Sequence, residues 1–171
     1  MGTAAVAPVT DRHVADANAP GLLVFDHLGL IVPELATGRD FLSSTLGIEH
    51  WTSAVDDPGI QVSVQFGSSG SDGLVYELVA PFGESSPIAN ALKTGKHILN
   101  HVAYRTADLE KAAERLREQG CYPAGAPMPA VAYSGNLVQF FLTPLRFIIE
   151  LIEKREHTHV FARYDGEGPG A

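Results

Sequence analysis

The sequence predicts an α+β fold in which two tandem βαβββ modules form a curled mixed β-sheet around a shared cavity, with the helices outside. The segment around His27 is repeated around His101, 74 residues later, and the segment around Glu77 is repeated around Glu150, 73 residues later. Both copies order their apolar runs in the same way. A module of about 60 residues buries little apolar surface by itself, so we expect the two copies to pack together.

Module one is expected over residues 22–82. The apolar run that starts at residue 22 predicts a strand, which ends before Pro33. Leu35, Phe41, Leu42 and Leu46 then recur at helical spacing, and Gly47 follows as a C-terminal cap. Three strands complete the module, over residues 48–54, 61–66 and 74–80. Residues 61–66 alternate polar and apolar, which is typical of a half-buried strand.

Module two is expected over residues 98–153 and repeats this order. A strand over 98–106 precedes a helix, in which Leu109, Ala112, Ala113 and Leu116 fall at i, i+3, i+4 and i+7. Residues 125–135 are predicted to form a loop, followed by strands over 137–142 and 146–152. The triplet at residues 64–66, Val-Gln-Phe, recurs at residues 138–140, so the repeat extends well beyond the His and Glu residues.

The remaining segments are predicted to connect or extend this domain. Residues 83–97 link the modules, with a short helix over 88–92. The full domain is expected over residues 21–156. Residues 1–20 are interpreted as a disordered N-terminal arm and residues 157–171 as a loose C-terminal tail.

Composition limits the classes of partner. The formal net charge of −8 argues against nucleic acid or an anionic membrane as the main partner, and no run reaches the ~18 apolar residues that span a bilayer. Cys121 is the single cysteine, so no intramolecular disulfide forms, which fits a reducing compartment. We therefore predict a cytoplasmic protein with a small-molecule partner.

Four residues form the candidate metal site. His27, Glu77, His101 and Glu150 each lie within an apolar strand, where an ionisable side chain is costly to bury unless it is paired or coordinated. If the two modules face a common cavity, the four side chains converge. Imidazole and carboxylate ligands suit one divalent ion: Zn, Ni, Co, Mn or Fe. Four protein ligands leave two octahedral positions for substrate oxygens.

Two glutamines are candidate substrate-binding residues. Gln65 and Gln139 occupy equivalent positions in the repeat and adjoin the predicted cavity if they face inward. In that orientation their amides would hydrogen-bond a substrate. Packing as paired strand residues explains the same pattern equally well, so the sequence leaves both interpretations open.

The residues resemble those of a known family. The paired modules, with ligands on their first and last strands, resemble the vicinal oxygen chelate superfamily, which includes glyoxalases, bleomycin resistance proteins and dioxygenases. Within it, the resemblance is to the methylmalonyl-CoA epimerases. The stretches that carry it lie at residues 25–30, 76–81, 84–89, 99–104 and 148–152.

This resemblance implies a homodimer and a substrate whose two neighbouring oxygens bind the metal. It also implies an isomerase or epimerase that removes a proton next to a carbonyl and stabilises the enolate with the metal. These epimerases use a further carboxylate on the third strand of module one as a base, but residues 60–66 contain no Asp or Glu. The sequence therefore leaves Glu150 and Glu77 as the candidate catalytic residues and favours a substrate other than methylmalonyl-CoA.

Three alternatives remain open at this point. A lactoylglutathione lyase of the glyoxalase I type resembles this chain in its His, Glu, His, Glu ligand set. An extradiol dioxygenase is less consistent, because the extra carboxylate of Glu77 fills a coordination position that O₂ chemistry needs. A non-catalytic small-molecule binding or resistance protein is the third alternative, which the missing base favours and the complete ligand set opposes.

Overall fold

The computed structural model describes residues 23–70, 73–83, 85–95, 99–154 and 156–164. The predicted N-terminal arm over residues 1–20 lies outside these ranges. In chain order, the elements of module one are β1 Val24–Ile31, α1 Leu35–Leu46, β2 His50–Trp51, β3 Val55–Asp57, β4 Val62–Ser68 and β5 Val75–Pro81. Helix α2, Ala89–Thr94, lies in the linker.

Module two repeats the pattern and adds short strands. Its elements are β6 Leu99–Arg105, α3 Leu109–Glu118, β7 Tyr122–Pro123, β8 Met128–Pro129, a 3₁₀ turn Val131–Tyr133, β9 Leu137–Leu142 and β10 Ile148–Ile152. Strand β11, Ala162–Arg163, follows it. The α+β fold class predicted from the repeat is confirmed.

The described strands form one mixed sheet, and its centre is the junction between the modules. The order is β11-β2-β4-β5-β1-β6-β10-β9-β7, with β3 on β4 and β8 on β9. In each module the first strand pairs in parallel with the last, β1 with β5 and β6 with β10. The two first strands, β1 and β6, pair antiparallel with each other. All four strands that carry the predicted metal ligands are therefore adjacent.

The helices pack on the sheet as the apolar spacing predicted, with one difference. In α3 the four predicted residues are all buried, and Asp108 caps its N-terminus by accepting a hydrogen bond from the Lys111 backbone N–H. In α1, however, Phe41 and Leu46 are exposed. The buried face of α1 is formed by Gly38 and Leu42, because Gly38 lets the helix approach Val32 and Leu78 closely.

Two strand segments differ from the prediction. The half-buried strand expected over residues 61–66 is β4, and it is buried almost throughout, including Gln65, because the neighbouring strands and the C-terminal segment cover it. The loop expected over 125–135 contains β8 and the 3₁₀ turn, and Tyr133 in that turn is only 2% exposed.

The C-terminal segment also differs from the loose tail predicted from residue 157. Residues 157–164 pack against the domain: β11 pairs with β2, and the backbone N–H of Tyr164 donates to the Glu49 carbonyl at 2.7 Å. The exposed edge of β2 provides the unpaired backbone groups that this strand satisfies. The predicted boundary at residue 156 therefore moves to at least residue 164.

Within the described ranges, no helix is long and apolar enough to cross a lipid bilayer.

Candidate metal centre and cavity

The four predicted metal ligands converge at the centre of the sheet. His27 Nε2 and His101 Nε2 are 2.9 Å apart. The Glu77 carboxylate lies 3.3 Å from the first nitrogen and 3.2 Å from the second, and the Glu150 carboxylate lies 3.5 Å and 3.1 Å from them. All four side chains are buried, and one ligand atom from each lies within 4.8 Å of the other three.

Strand pairing explains this convergence. Glu77 on β5 lies beside Gly29 on β1, and Glu150 on β10 lies beside Ala103 on β6, which is the equivalent position in the repeat. Because β1 and β6 run antiparallel through the centre, the two copies of the motif face each other. Duplication of one His and one Glu thus produces a single four-residue cluster.

Two β-bulges orient the histidines. Asp26 and His27 together oppose Ala103 on β6, and in the second copy Asn100 is the extra residue between the pairs Gly29–His101 and Leu30–Leu99. A bulge brings successive side chains towards the same region instead of opposite faces. As a result, each histidine is hydrogen-bonded to the residue before it: His27 Nδ1 to Asp26 Oδ2 at 2.9 Å and His101 Nδ1 to Asn100 Oδ1 at 2.8 Å.

These neighbours fix which ring nitrogen faces the cluster. An acceptor oxygen at each Nδ1 places the proton there, and this leaves each Nε2 lone pair directed at the centre. Two imidazole lone pairs and two carboxylates then meet in a buried space. Such a donor set fits a divalent cation, with Zn²⁺, Mn²⁺, Fe²⁺, Co²⁺ and Ni²⁺ all compatible with its N and O atoms.

Protons compete with a cation for the same atoms. Burial lowers the pKa of His27, but the charge of Glu77 and the hydrogen bonds with Asp26 and Glu150 raise it further, so it lies well above its usual value. Burial raises the pKa of Glu77, but the charge of His27 and the hydrogen bond with His101 outweigh this and lower it to about 2. Both effects stabilise the charged forms of the cluster.

Asp26 connects the cluster to a wider polar network that the sequence did not single out. Its Oδ2 accepts a 2.6 Å hydrogen bond from the Tyr133 hydroxyl, its Oδ1 lies 2.6 Å from Arg105 Nε, and His159 Nε2 lies 3.4 Å from Oδ2. Burial acts to raise the pKa of Asp26, but the hydrogen bonds from His159, His27 and Tyr133 hold it well below its usual range. The ionised carboxylate therefore holds the His27 ring in place.

The network includes a residue from the C-terminal segment. The His159 ring stacks on Phe66, with centroids 4.0 Å apart and planes 28° apart. His159 falls in the segment predicted to be a loose tail, and nothing in its sequence spacing predicts this contact. Asp26 had a signal, because Asp26–His27 and Asn100–His101 are both polar-histidine pairs at the repeat offset of 74.

Gly29 is required by the packing of the cluster. A Cβ atom at this position would lie 2.1 Å from the His101 ring, a distance that no side chain can occupy. The equivalent residue in module two is Ala103. The repeat is therefore asymmetric at this point, since the His101 ring occupies the space beside Gly29.

A cavity of about 330 Å³ opens beside the cluster. Glu77, His101 and Glu150 form its polar end, and Asp57, Asn100 and Tyr133 add further polar groups. The other lining residues are apolar: Ile60, Val62, Val64, Val79, Pro87, Ile88, Ala124, Met128, Ala130, Ala132, Phe140 and Ile148. An apolar concavity with a few convergent polar groups is typical of a small-molecule site.

The two predicted substrate-binding glutamines do not line this cavity. Gln65 Nε2 donates to the Thr52 carbonyl at 2.8 Å, and Gln139 Nε2 donates to the Gly125 carbonyl at 2.9 Å. Both are buried and hold a loop against their strand. These hydrogen bonds support the interpretation that the two glutamines pack within the fold, and no contact with the cavity supports a substrate-binding role.

The position of the missing base is apolar in the structure as well. Ile60 and Val62 lie within the segment 60–66, where this base is expected, and both line the cavity. Asp57 is nearby, but its Oδ1 accepts from the N–H groups of Gly59 and Ile60 and its Oδ2 from that of Val131. Asp57 therefore holds two loops together, and Glu77 and Glu150 are the carboxylates directed at the cluster.

Comparison with known proteins gives the family. Residues 26–140 match the model of the Glyoxalase/Bleomycin resistance protein/Dioxygenase superfamily. This chain belongs to that superfamily. The resemblance drawn from the repeated His and Glu motifs is thereby confirmed.

Individual relatives of this superfamily member include epimerases. An ethylmalonyl-CoA/methylmalonyl-CoA epimerase from Cereibacter sphaeroides is 33% identical over 129 residues, which cover 75% of this chain and 93% of the relative. Among solved structures, a hypothetical protein from Bacillus halodurans aligns with a TM-score of 0.66 at 23% identity, covering 81% of this chain and 99% of its own. Methylmalonyl-CoA epimerase from Mycobacterium tuberculosis aligns with a TM-score of 0.62 at 23% identity, and the alignment covers 75% of this chain and 85% of the epimerase chain.

Proposed function

We propose that this protein is a metal-dependent isomerase or epimerase that removes a proton next to a carbonyl group of a small substrate. The observation that carries the proposal is the position of the His27, Glu77, His101 and Glu150 cluster at the polar end of an apolar cavity. The kinship with coenzyme A thioester epimerases supports the same reaction class.

The four side chains would hold the ion, each in a defined role. His27 and His101 supply neutral Nε2 ligands, which Asp26 and Asn100 orient through Nδ1. Glu77 and Glu150 supply carboxylate oxygens. When bound, a divalent ion accepts two neighbouring substrate oxygens and stabilises the negative charge that develops when the adjacent C–H bond breaks.

Glu150 and Glu77 are the proposed proton acceptors. Both are ionised, since the neighbouring histidines lower the pKa of each carboxyl below its usual value despite burial. They come from different modules, so a substrate placed between them would meet one carboxylate from each copy of the motif. One of them takes the proton, and the apolar walls exclude water from the carbanion.

Proton exchange tests this proposal. The metal-loaded protein is incubated with 2-substituted acyl thioesters in deuterated water, and loss of the C2 proton signal is followed by NMR. We expect exchange well above the buffer rate, and its loss in Glu150→Gln or Glu77→Gln. Glu110→Gln, which alters an exposed residue of α3, is the matched control. A protein that binds ligand but never exchanges a proton would instead be a non-catalytic binding protein.

A lactoylglutathione lyase of the glyoxalase I type is the second candidate. It is favoured by the pair of carboxylates in the cluster together with the apolar residues at positions 60 and 62. The same assay with the hemithioacetal of glutathione and methylglyoxal distinguishes the two reactions. The homodimer, the cytoplasmic location and the identity of the metal also stay predictions.

A further inference from the structure

We propose that the cavity selects an uncharged acyl group with two neighbouring carbonyl oxygens, such as a 2-alkyl-3-oxoacyl thioester, over a malonyl-type acyl group with a free carboxylate. This inference rests on the proposed function and specifies its substrate class. It also predicts how this chain differs from the malonyl-type epimerases to which it is related.

The walls of the cavity are the first observation. On β4 and β5 the apolar lining side chains are Val62, Val64 and Val79, and Met128 on β8 and Phe140 on β9 also line the cavity. None of the described residues that line the cavity is a lysine or an arginine. A carboxylate that entered would leave water without meeting a counter-charge on these walls, which is strongly unfavourable.

Outside the metal ligands, most polar side-chain atoms of the lining already have hydrogen-bond partners. Asp57 accepts three backbone N–H bonds, and as an anion it would repel a second carboxylate. The Tyr133 hydroxyl donates its one hydrogen to Asp26, and Asn100 directs its Oδ1 to His101. Of these groups, none offers a positive charge to an anionic substrate.

The charge balance at the polar end is the second observation. Two neutral histidines and two carboxylates carry a charge of −2, which one divalent ion cancels. A substrate carboxylate would make the buried site negative, directly beside Glu77 and Glu150, and like charges at such short distances disfavour one another. A ketone oxygen and a thioester oxygen provide the same two ligands without adding charge.

The uncharged substrate also suits the reaction. The C2–H bond breaks, the proton passes to a carboxylate oxygen of Glu150 or Glu77, and the electron pair moves onto the two carbonyl oxygens as an enolate. Return of a proton to the opposite face inverts C2, so no oxidant or further reactant is consumed. The volume of about 330 Å³ accommodates a short acyl chain, and the thiol carrier would extend outside.

Calorimetric titration of the cobalt-loaded protein tests the selectivity. The two ligands are the N-acetylcysteamine thioesters of 2-methyl-3-oxobutanoate and of methylmalonate, which share a carrier without charge. We expect the 3-oxo ligand to bind at least about tenfold more tightly. Equal or tighter binding of the methylmalonyl ligand, or no measurable binding of either, would overturn the inference.

Deuterium exchange on the same samples keeps this inference separate from the proposed function. Preferential binding of the 3-oxo ligand with exchange above the buffer rate supports both. Preferential binding without exchange supports the selectivity and contradicts the proposed catalysis. Exchange that is faster with the methylmalonyl ligand supports the catalysis and contradicts the selectivity.

Two variants test the electrostatic cause. Met128→Lys places a cation in the cavity wall outside the ligand cluster, and Met128→Leu is its uncharged control. Glu77→Gln removes one negative charge from the cluster. Both charge variants are measured in their cobalt-loaded form. The ratio of the affinities for the 3-oxo and methylmalonyl ligands should shift about tenfold towards the methylmalonyl ligand in Met128→Lys and in Glu77→Gln, while Met128→Leu keeps the original ratio. Unchanged ratios in both charge variants would contradict the cause.

Discussion

The Tyr133 hydroxyl donates a 2.6 Å hydrogen bond to Asp26 Oδ2, and the same oxygen accepts from His27 Nδ1 at 2.9 Å. Tyr133 belongs to module two, whereas Asp26 and His27 belong to module one. One carboxylate oxygen therefore couples the loop before β9 to the orientation of a proposed metal ligand. Substitution of residues that orient metal-bound histidines in this way typically lowers metal affinity or activity by about 10–100-fold.

Tyr133→Phe should weaken metal binding without abolishing it. The substitution removes the hydroxyl that helps to fix Asp26 but leaves the ring in its buried place. We expect the dissociation constant for Co²⁺ to rise about tenfold and the free energy of unfolding to fall by about 1 kcal/mol. A competition titration against a metal chelator and urea unfolding measure the two. Tyr122→Phe, at an exposed tyrosine, should change neither.

Asp26→Asn should have a larger effect. The amide keeps an oxygen near His27, but it removes the negative charge that pairs with Arg105 and favours the Nδ1–H tautomer of His27. We expect metal affinity to fall by 10–100-fold, the range typical of such orienting residues. Asp56→Asn, at an exposed position of β3, is the matched control. An Asp26→Asn protein with the affinity of the wild type would show that the tautomer is set elsewhere.

Gly29→Ala should displace His101 from the cluster. Its Cβ would lie 2.1 Å from the ring, so either the ring turns away or β1 and β6 separate. Overpacking of this kind typically costs about 1–3 kcal/mol of stability. We expect both a lower unfolding midpoint and the loss of tight Co²⁺ binding, measured by the cobalt absorption spectrum. Retention of the wild-type spectrum would mean that the strand pairing relaxes more easily than expected.

The metal-free protein, prepared with EDTA, should lose stability as pH rises above about 6.5. The pKa of His27 is higher in the folded than in the unfolded protein. The stabilising contribution of protonated His27 to the free energy of unfolding is therefore fully present below the unfolded pKa of about 6.5 and is lost as pH rises through the folded pKa. At the acid end, the pKa of Glu77 is lowered to about 2, so its contribution is present above about 4.5 and is lost as pH falls towards 2.

Urea unfolding in the presence of EDTA between pH 6 and 9 measures the alkaline side of this dependence. The metal-loaded protein should show the opposite trend, since a cation binds the neutral imidazoles and its binding at pH 7 releases protons. A His27→Gln, His101→Gln double variant is the control and should show neither slope. Identical slopes with and without metal would contradict the assignment of these histidines.

The sequence predicted the features that depend on the repeat. His27, Glu77, His101 and Glu150 recur at a fixed offset, so duplication of one module is enough to bring them together. Contacts unique to one copy carry no such signal: nothing in the repeat predicts a contact of Tyr133, and His159 falls in the segment predicted to be a loose tail. Gln65 and Gln139 show a limit of the repeat, since their equivalent positions are consistent with both a substrate contact and packing, and only the structure shows their amides donating to the Thr52 and Gly125 carbonyls.

Helix α1 shows a related limit. Its apolar spacing predicted the helix correctly, but Phe41 and Leu46 are exposed while Gly38 is buried. Hydrophobicity alone does not reveal that a glycine provides the closest approach between helix and sheet. The two bulges in β1 and β6 are equally hidden, because each depends on the pairing of strands that lie about 70 residues apart in the chain.

Crystallography of the cobalt-loaded protein, with anomalous data at the cobalt edge, tests the central claim most directly. We predict one strong peak per chain, bound by Nε2 of His27 and His101 and by a carboxylate oxygen of Glu77 and Glu150, at about 2.0–2.2 Å from each. A peak bound elsewhere, for example by His157 and His159 alone, or no peak at the four-residue cluster would contradict it.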